Sequence, residues 1–454
     1  MLKHEFSSFR DHKAIVYFTS NGVFRKIKKN QNIDFEKFLS SKFYQSNLGK
    51  IIETKIINFE DIKEFDTSKI NNDKNNIWLE HKKLKNIIYP YEYTFNRLKD
   101  SAIFFLNLYI ETIKNGYDIA DASAYNIQFK ENSPIFIDLG SFVEINNDSE
   151  ILWHKQFCEN YFAPLLLKSI AKVNFNDLYK ASLNGVDLKI ASKILPIKTW
   201  LNFNILTNIH LHSYLNSKIS SSSHIESIKK KPKIISIKQK ILIIKSLNKA
   251  IKKLKSVNST YWSSYSKINS YSDDILIKKK KIVADFIKKE KIKKLIDIGC
   301  NNGIFSDVAF KNGAYEIIGI DNDIDSLDEA YVKFRDEKKN HFAIYQNFMN
   351  PSPNIGWRNL ERKSFLDRFA NNFDGMICLA FIHHICIGNN VPLDQFIEYL
   401  GKFSSNILLE FVSTNDQMVK NMTFNKKNII QNYSLHEFKE IVKKNYKIQS
   451  EIDI

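Results

Sequence analysis

The chain is short of cysteine, glycine and long apolar runs, and each shortage narrows what it can be. Four cysteines (Cys158, Cys300, Cys378 and Cys386) are scattered through 454 residues without paired spacing. A disulfide framework is therefore not expected, nor a Cys-ligated metal site, and a reducing cytoplasm is the expected compartment. The opening Met1-Leu-Lys-His-Glu-Phe-Ser-Ser-Phe-Arg-Asp11 holds no apolar signal core. Nowhere do about 18 apolar residues run uninterrupted, so no membrane span is expected. Glycine and arginine are scarce where Lys, Asn and Ile abound, a compositional bias that inflates lysine without functional pressure.

What is present can bury two cores: 43% of the residues are apolar, which predicts two domains and a connector. The net charge is +17, and between Ile225 and Lys294 there are 21 lysines against 5 acids, which puts +16 in that stretch. Two readings stand for it: a solvated helical linker, or a nucleic-acid-binding face. Ser220-Ser-Ser-Ser-His224 reads as a flexible linker, followed by a lysine-rich helix from about Lys238 to Val257.

The most informative stretch is Lys294-Leu-Ile-Asp-Ile-Gly-Cys-Asn-Asn-Gly303. Leu295 to Ile298 read as a buried parallel strand. A tight turn follows, and Ile304 begins a helix. Glycines let backbone N–H groups approach a ligand, and Asn301 tolerates the positive φ a third glycine would supply. A second buried strand, Glu316 to Ile320, ends in Asp321, where a carboxylate can take both hydroxyls of a ribose. The bland alternative is an ordinary strand-to-helix turn.

These residues resemble the first motif of the class I S-adenosylmethionine-dependent methyltransferases, matched by Asp297, Gly299, Asn301 and Gly303 with Asn301 in place of the middle glycine. The resemblance implies S-adenosylmethionine as cofactor. Gly299 and Gly303 would form the floor under its methionine moiety, Asp297 would order that pocket, and Asp321 would bind the ribose. Strands are predicted at about 293–299, 316–321, 341–347, 373–380, 405–412 and 446–454. Helices are predicted near 303–312, 324–338, 361–370, 392–404 and 434–445, giving a mainly parallel sheet with right-handed crossovers. Ligands bind at the carboxyl ends of such strands. Asn347, ending the third, can accept a hydrogen bond from an adenine amino group. The loop Asn350-Pro-Ser-Pro-Asn-Ile-Gly-Trp-Arg-Asn-Leu-Glu-Arg362 reads as a structured lid or substrate rim, with Trp357 a candidate there, or as a plain packed loop.

The fourth strand delivers Cys378-Leu-Ala-Phe-Ile-His-His384. One imidazole is read as facing the pocket and taking a hydroxyl proton during methyl transfer, with His383 slightly favoured over His384; a structural role for both is the alternative. Glu410, ending the fifth strand, would orient the acceptor or a histidine. Trp262 and Tyr265, upstream of the motif, could contact a sulfonium through their ring faces, or pack under a helix. No Asn/Asp-Pro-Pro-aromatic run is present to hold an amino nitrogen, so an oxygen of a small-molecule or glycan-type acceptor fits better.

The first half carries a second constellation. Residues 14–28 read as a hairpin turning at Asn21-Gly22. A strand follows at Ile51–Ile57, then an aromatic segment and a long helix, Leu98 to Asn115. Asp121-Ala-Ser-Ala-Tyr-Asn126 is followed by a hairpin that delivers Asp138-Leu-Gly140. This resembles the catalytic core of protein-kinase-like and aminoglycoside-phosphotransferase-like enzymes. The resemblance implies Asp121 at the base position, with Asn126 and Asp138 holding Mg²⁺ under ATP. The chain departs from that pattern at Ile119, in lacking a glycine-rich loop, and in having Arg25, Lys26 and Lys28 as rival phosphate-pairing cations. The alternative is a degenerate lobe in which Asp121 caps a turn and Asp138 ends a strand. His210 and His212, two residues apart, share no helix face, so no metal site is expected there.

Together these segments resemble a bacterial, nodulation-protein-like group of methyltransferases joined to a kinase-like front half. The expected class is α/β: a kinase-like α+β domain over 1–219, a basic helical connector over 220–275, and a Rossmann-like methyltransferase domain over 276–454. The resemblance implies a last, antiparallel strand inserted between the fifth and sixth, and the sequence reaches Ile454 as the sixth is completed, so a truncated sequence or a partner's strand is expected. Bifunctional phosphorylation and methylation is one alternative function. A nucleic-acid-binding or RNA-methylating protein using the lysine-rich connector is the other.

Overall fold

The computed structural model describes residues 3–4, 9, 14–19, 22–28, 33–62, 75–145, 153–215, 235–256, 273–423 and 433–454. Its contacts divide the chain into two units. One comprises 1–257 together with Asn354–Arg362, and the other comprises Asn258–Pro353 and Lys363–Ile454. The assignment of the short segment Asn354–Arg362 to the first unit was not legible in the sequence. Among the described residues no helix is long and apolar enough to cross a membrane.

The first unit opens with a five-stranded antiparallel sheet in the order β1-β2-β3-β5-β4. Its strands are β1 (Lys3–His4), β2 (Ala14–Phe18), β3 (Val23–Lys28), β4 (Thr54–Ile57) and β5 (Asn76–His81). The β2–β3 hairpin registers Phe18 with Val23, and Thr19 Oγ1 accepts the Gly22 N–H at 2.8 Å to close the turn. Between β3 and β4 lie two short helices, α1 (Phe35–Ser40) and α2 (Lys42–Ser46). Asp34 caps the first through its side chain.

The long helix α3 (Phe95–Lys114) is capped by Thr94 and buries Leu98, Phe105, Tyr109 and Ile113 along one face. Those apolar groups recur at helical spacing, which fixes the face turned inward. Two short ladders follow: β6 (Tyr117–Ile119) with β9 (Phe142–Glu144), and β7 (Ile127–Lys130) with β8 (Ser133–Phe136). Residues 154–171 then run as alternating α and π turns, and Pro164 sits at the start of one α segment rather than breaking it.

The lysine-rich helix, expected in a connector, is α4 (Ile237–Lys253) and packs on α3 as part of the first unit. Its Lys240 is buried and pairs with Asp118 at 3.1 Å, so this lysine is spent on a core ion pair. The Ser220–His224 linker, with Trp262 and Tyr265, lies outside the described residues.

The second unit is a parallel sheet in the order β12-β11-β10-β13-β14. The strands are β10 (Lys294–Ile298), β11 (Glu316–Asp321), β12 (His341–Tyr345), β13 (Gly375–Cys378) and β14 (Ile407–Leu409). Asp297 pairs in register with Gly319 on one side and Ile377 on the other. The order reverses between β10 and β13, and a ligand crevice opens at that switch point in sheets of this kind. Helices α5 (Asp273–Lys289) and α6 (Ile304–Lys311) cover the sheet through Val283, Ile287 and Ala309 against Leu295, Ile317 and Ile377. Helix α7 (Ile324–Asp336) packs Leu327 and Tyr331 against Cys300 and Ala343.

Two expectations are corrected. Residues 446–454, read as a sixth strand, follow helix Leu435–Asn445 without joining the sheet. They carry three charged residues in nine and no run of β-branched side chains able to fill a buried strand. The predicted helix 361–370 is only Phe365–Phe369, because Asn354–Arg362 folds as a separate turn closed by an Ile355–Arg362 bridge.

Candidate functional site

The crevice of the second unit is built on the turn after β10. Gly299, Asn301 and Gly303 have φ of 73°, 49° and 76°, the left-handed region the sequence called for. A side chain at Gly299 would come within 2.7 Å of the Phe381 ring, and one at Gly303 within 2.5 Å of Phe334. Both glycines are therefore required by close packing as well as by backbone angle. The turn also meets the acid that ends β11: the Asn301 N–H donates to Asp321 Oδ2 at 2.8 Å, and the Asp323 N–H donates to Oδ1 at 2.8 Å.

Burial pushes the Asp321 carboxyl up to about 6, against the pull of those N–H groups. Among the described residues no lysine or arginine pairs with it. Each oxygen keeps a lone pair for a further donor, so two adjacent hydroxyls suit it. Asp297 lies beneath, buried, with Ser306 Oγ donating at 2.6 Å. Burial pushes it up to about 7, with the charge of Asp321 adding to the rise. These residues fit a nucleoside with a vicinal diol.

Asn347 is exposed and two residues beyond the end of β12; its Oδ1 accepts the Met349 N–H at 2.9 Å in a local turn. The buried amide at that strand end is instead Gln346, whose Oε1 accepts from Ser352 Oγ at 2.9 Å. Trp357 is 65% exposed and belongs to the segment grouped with the first unit.

The histidines lie not on β13 but on the short helix α8 (Ile382–Cys386) that follows it. Their rings are 4.1 Å apart. His383 is buried with Nδ1 unpartnered, and burial, then the neighbouring His384, push it down to about 4. His384 is only half-buried, and burial lowers it too. Burial disfavours the charged form of both imidazoles. Ala380, just before the helix, has φ of 49°, a strained conformation for a residue with a Cβ.

Glu410 holds that turn: its Oε2 accepts the Ala380 N–H at 2.9 Å, and its Oε1 pairs with Lys279 Nζ at 2.7 Å. The carboxylate thus fixes the strand-to-helix turn that leads to the histidines. Lys279, a buried cation on α5, was missed by the sequence reading because it sits among lysines read as a solvated face. Phe381, covering Gly299, was missed because its ring reaches the turn only through the β10–β13 pairing.

The first unit brings together its own three candidates. The β6–β9 ladder places Asp121 beside the Asp138 turn, with the Ala120 N–H donating to Ser141 O at 2.8 Å. The β7–β8 hairpin sets Asn126 against Ile137, whose N–H donates to Asn126 O at 2.9 Å. Asp121 Oδ1 accepts from the Ser123 N–H at 2.8 Å and Gln156 Nε2 at 2.6 Å. Burial first, then the charge of Asp138, raise its pKa. Asp138 Oδ1 accepts from Arg25 Nη1 at 2.6 Å and from the Gly140 N–H at 3.1 Å, so Arg25 on β3, one of the three rivals, reaches this site.

The amide nitrogen of Asn126 is buried without a well-formed hydrogen bond, although it lies near enough to Asp121 to help lower its pKa. Its oxygen and Asp138 Oδ2 are donors of the kind Mg²⁺ takes, and a cation there would relieve the repulsion between the two carboxylates. Among the described residues no group of three or more His, Cys, Asp or Glu side chains could hold a metal by itself. His210 is hydrogen-bonded to Ser192 and Thr199.

A cavity of about 510 Å³ opens beside Asp121, lined by Ser123, Lys155, Glu159, Asp187 and Arg362 among others. A large polar cavity was not predicted here, since its far wall comes from a segment more than 200 residues away in sequence.

The folds define a two-part protein: an α+β unit with an antiparallel sheet and a Rossmann-like α/β unit with a five-stranded parallel sheet. No protein-family model matches the chain. It is 33% identical over 362 residues to the nodulation protein NoeA of Rhizobium meliloti (strain 1021), covering 79% of this chain and 76% of that protein. The chain belongs to the NoeA family.

Among solved structures, it is similar to WbdD at 15% identity, over 38% of this chain and 37% of that one, with a TM-score of 0.25. A second structure, of the bifunctional kinase-methyltransferase WbdD, matches at 10% identity over 62% of this chain and 51% of that one, with a TM-score of 0.23. The chain thus spans between about a third and a half of these structures, and superpositions this loose carry no residue-level correspondence.

Proposed function

We propose that the second unit is an S-adenosylmethionine-dependent methyltransferase acting on an oxygen of a small-molecule or glycan-type acceptor. The observation that carries this is the 2.8 Å bond from the Asn301 N–H to Asp321 Oδ2. It joins the glycine-bearing turn to an acid that pairs with no lysine or arginine among the described residues, at the switch point of a parallel sheet. When bound, the cofactor supplies an electrophilic methyl group on sulfonium. Asp321 grips the ribose, Asp297 orders the turn from below, and a histidine on α8 accepts the acceptor's proton.

His384 is the better placed of the two for that last role, being half-buried where His383 is enclosed. A base must reach the proton it takes. His384→Ala is expected to lower kcat about a hundredfold or more, and His383→Ala to act mainly through stability. Full turnover by His384→Ala alongside an inactive but folded His383→Ala would reverse the assignment. The function itself is tested by calorimetry with S-adenosylmethionine and S-adenosylhomocysteine, followed by methyl transfer from labelled donor into fractionated cell extract. Binding of neither nucleoside would remove the proposal.

A second reading, phosphotransfer by the first unit, is supported by the clustering of Asp121, Asn126 and Asp138 with Arg25. ATP and Mg²⁺ would be held by Asn126 and Asp138, with Asp121 receiving the acceptor's proton. Asp138→Ala is expected to abolish nucleotide- and Mg²⁺-dependent phosphate transfer and to leave S-adenosylmethionine binding intact. Equal phosphate transfer by wild type and variant would assign the activity elsewhere.

A further inference from the structure

The cavity beside Asp121 is crowded with charge, and its partners can be accounted for one by one. Glu159 pairs with Lys155 at 3.6 Å. Asp187 caps helix Leu188–Ile194, accepting the N–H groups of Lys189 at 2.7 Å and Ile190 at 3.2 Å. Glu361 is buried and accepts the Trp357 N–H at 3.0 Å. Asp121 is held by Ser123 and Gln156. Each acid already has donors.

Arg362 differs. Its Nη1 donates to the Glu361 carbonyl at 2.9 Å, its guanidinium carbon lies 4.2 Å from the centre of the Tyr125 ring, and Nε is buried without a well-formed hydrogen bond, although the guanidinium lies near enough to the Tyr125 hydroxyl to oppose the rise that burial causes in its pKa. No carboxylate pairs with it among the described residues. A guanidinium laid on an aromatic face is pre-oriented, and its planar fork matches carboxylate and phosphate oxygens. It is delivered by the tight turn Asn354–Arg362, in which Gly356 has φ of 87° and a side chain there would come within 2.6 Å of Glu361. The turn is wrapped around Glu361, which fixes where the next residue emerges.

We infer that Arg362 is the anion-binding residue of this cavity, and that the cavity takes a hydroxylated acceptor bearing a carboxylate or phosphate, with a hydroxyl presented to Asp121. A volume of about 510 Å³ lies within the range of small-molecule sites, and walls of hydroxyl, amide and carboxylate groups suit a polyol. The role of Asp121 toward that hydroxyl rests on the phosphotransfer reading, whereas binding of the anion at Arg362 does not.

The test is calorimetric titration of the full chain with glucose, glucuronic acid and glucose 6-phosphate, without nucleotide. At least one charged sugar is expected to bind about tenfold or more tightly than glucose, as a charge-assisted bond implies. Glucuronic acid alone would name a carboxylate source, glucose 6-phosphate alone a phosphate source, and both the shared anion chemistry. The advantage is expected to vanish in Arg362→Gln and to persist in Asp138→Ala, the variant that silences phosphotransfer, so loss of that activity and loss of anion binding are told apart.

Should Arg362→Gln not fold, the salt dependence of the wild type serves instead. Affinity for the charged sugar should fall between about 20 and 200 mM salt while that for glucose stays level. The inference is overturned by equal binding of charged and neutral sugars, by no binding of any, by an advantage that survives Arg362→Gln, or by displacement of the charged sugar by ATP.

Discussion

Asp321→Ala is expected to weaken S-adenosylmethionine binding about a hundredfold or more, with the fold retained. A carboxylate accepting two ribose hydroxyls makes two charge-assisted bonds, each worth about 1.5–3 kcal/mol, and alanine removes both. Asp321→Asn, which keeps one acceptor oxygen, should fall between the two. The same carboxyl makes the affinity depend on pH. Burial holds it up to about 6 in the free protein, and hydrogen bonds from hydroxyls favour the ionised form, lowering the pKa in the complex.

Below about 6 the free carboxyl is protonated and must lose that proton to bind. Affinity should therefore rise with pH by up to about tenfold per unit and level off above about 6. Calorimetry across pH 5 to 8 checks both statements. Unchanged affinity in Asp321→Ala, or a flat profile in wild type, would detach this acid from the ligand.

Lys279→Ala is expected to cost about 3–5 kcal/mol of stability in the second unit. Lys279 and Glu410 side chains are 3% and 12% exposed and 2.7 Å apart, so removing the cation leaves an enclosed carboxylate without its counter-charge. The double variant Lys279→Met with Glu410→Gln should recover most of the loss. Well-packed neutral replacements of buried pairs are often tolerated, and the glutamine oxygen can still accept the Ala380 N–H. Chemical denaturation of the three proteins decides the matter. A cost below about 1 kcal/mol for Lys279→Ala would mark the pair as no stronger than a surface contact. Because Glu410 also holds the Ala380 turn ahead of α8, Lys279→Ala should misplace the histidines as well.

The parts of the fold that were legible share one property: their signal is local. The β2–β3 hairpin follows from two alternating runs around a turn, and α3 from apolar residues at helical spacing. Strands β10, β11 and β13 follow from short apolar runs between polar turns. The spacing from Asp121 to Asn126 and on to Asp138 follows the same logic, since one ladder and one hairpin suffice to converge them. What failed was also local in origin. Residues 446–454 were read as a strand only to complete an expected alternation.

By itself, then, the amino-acid order determined the strand–turn–helix units, a β-rich front segment followed by helices, and a mainly parallel rear sheet. Period and turn chemistry act between near neighbours and need no knowledge of the rest. Only the tertiary structure decided which charges are spent and which remain. Lys240 is buried against Asp118, Lys279 against Glu410, and Arg25 reaches Asp138 across 113 residues. Arg362, from the far half of the sequence, lines the same cavity as Asp121 and pairs with no carboxylate among the described residues. Pairing of charges is settled by which side chains folding brings within a few ångströms, and no periodicity in the chain encodes that.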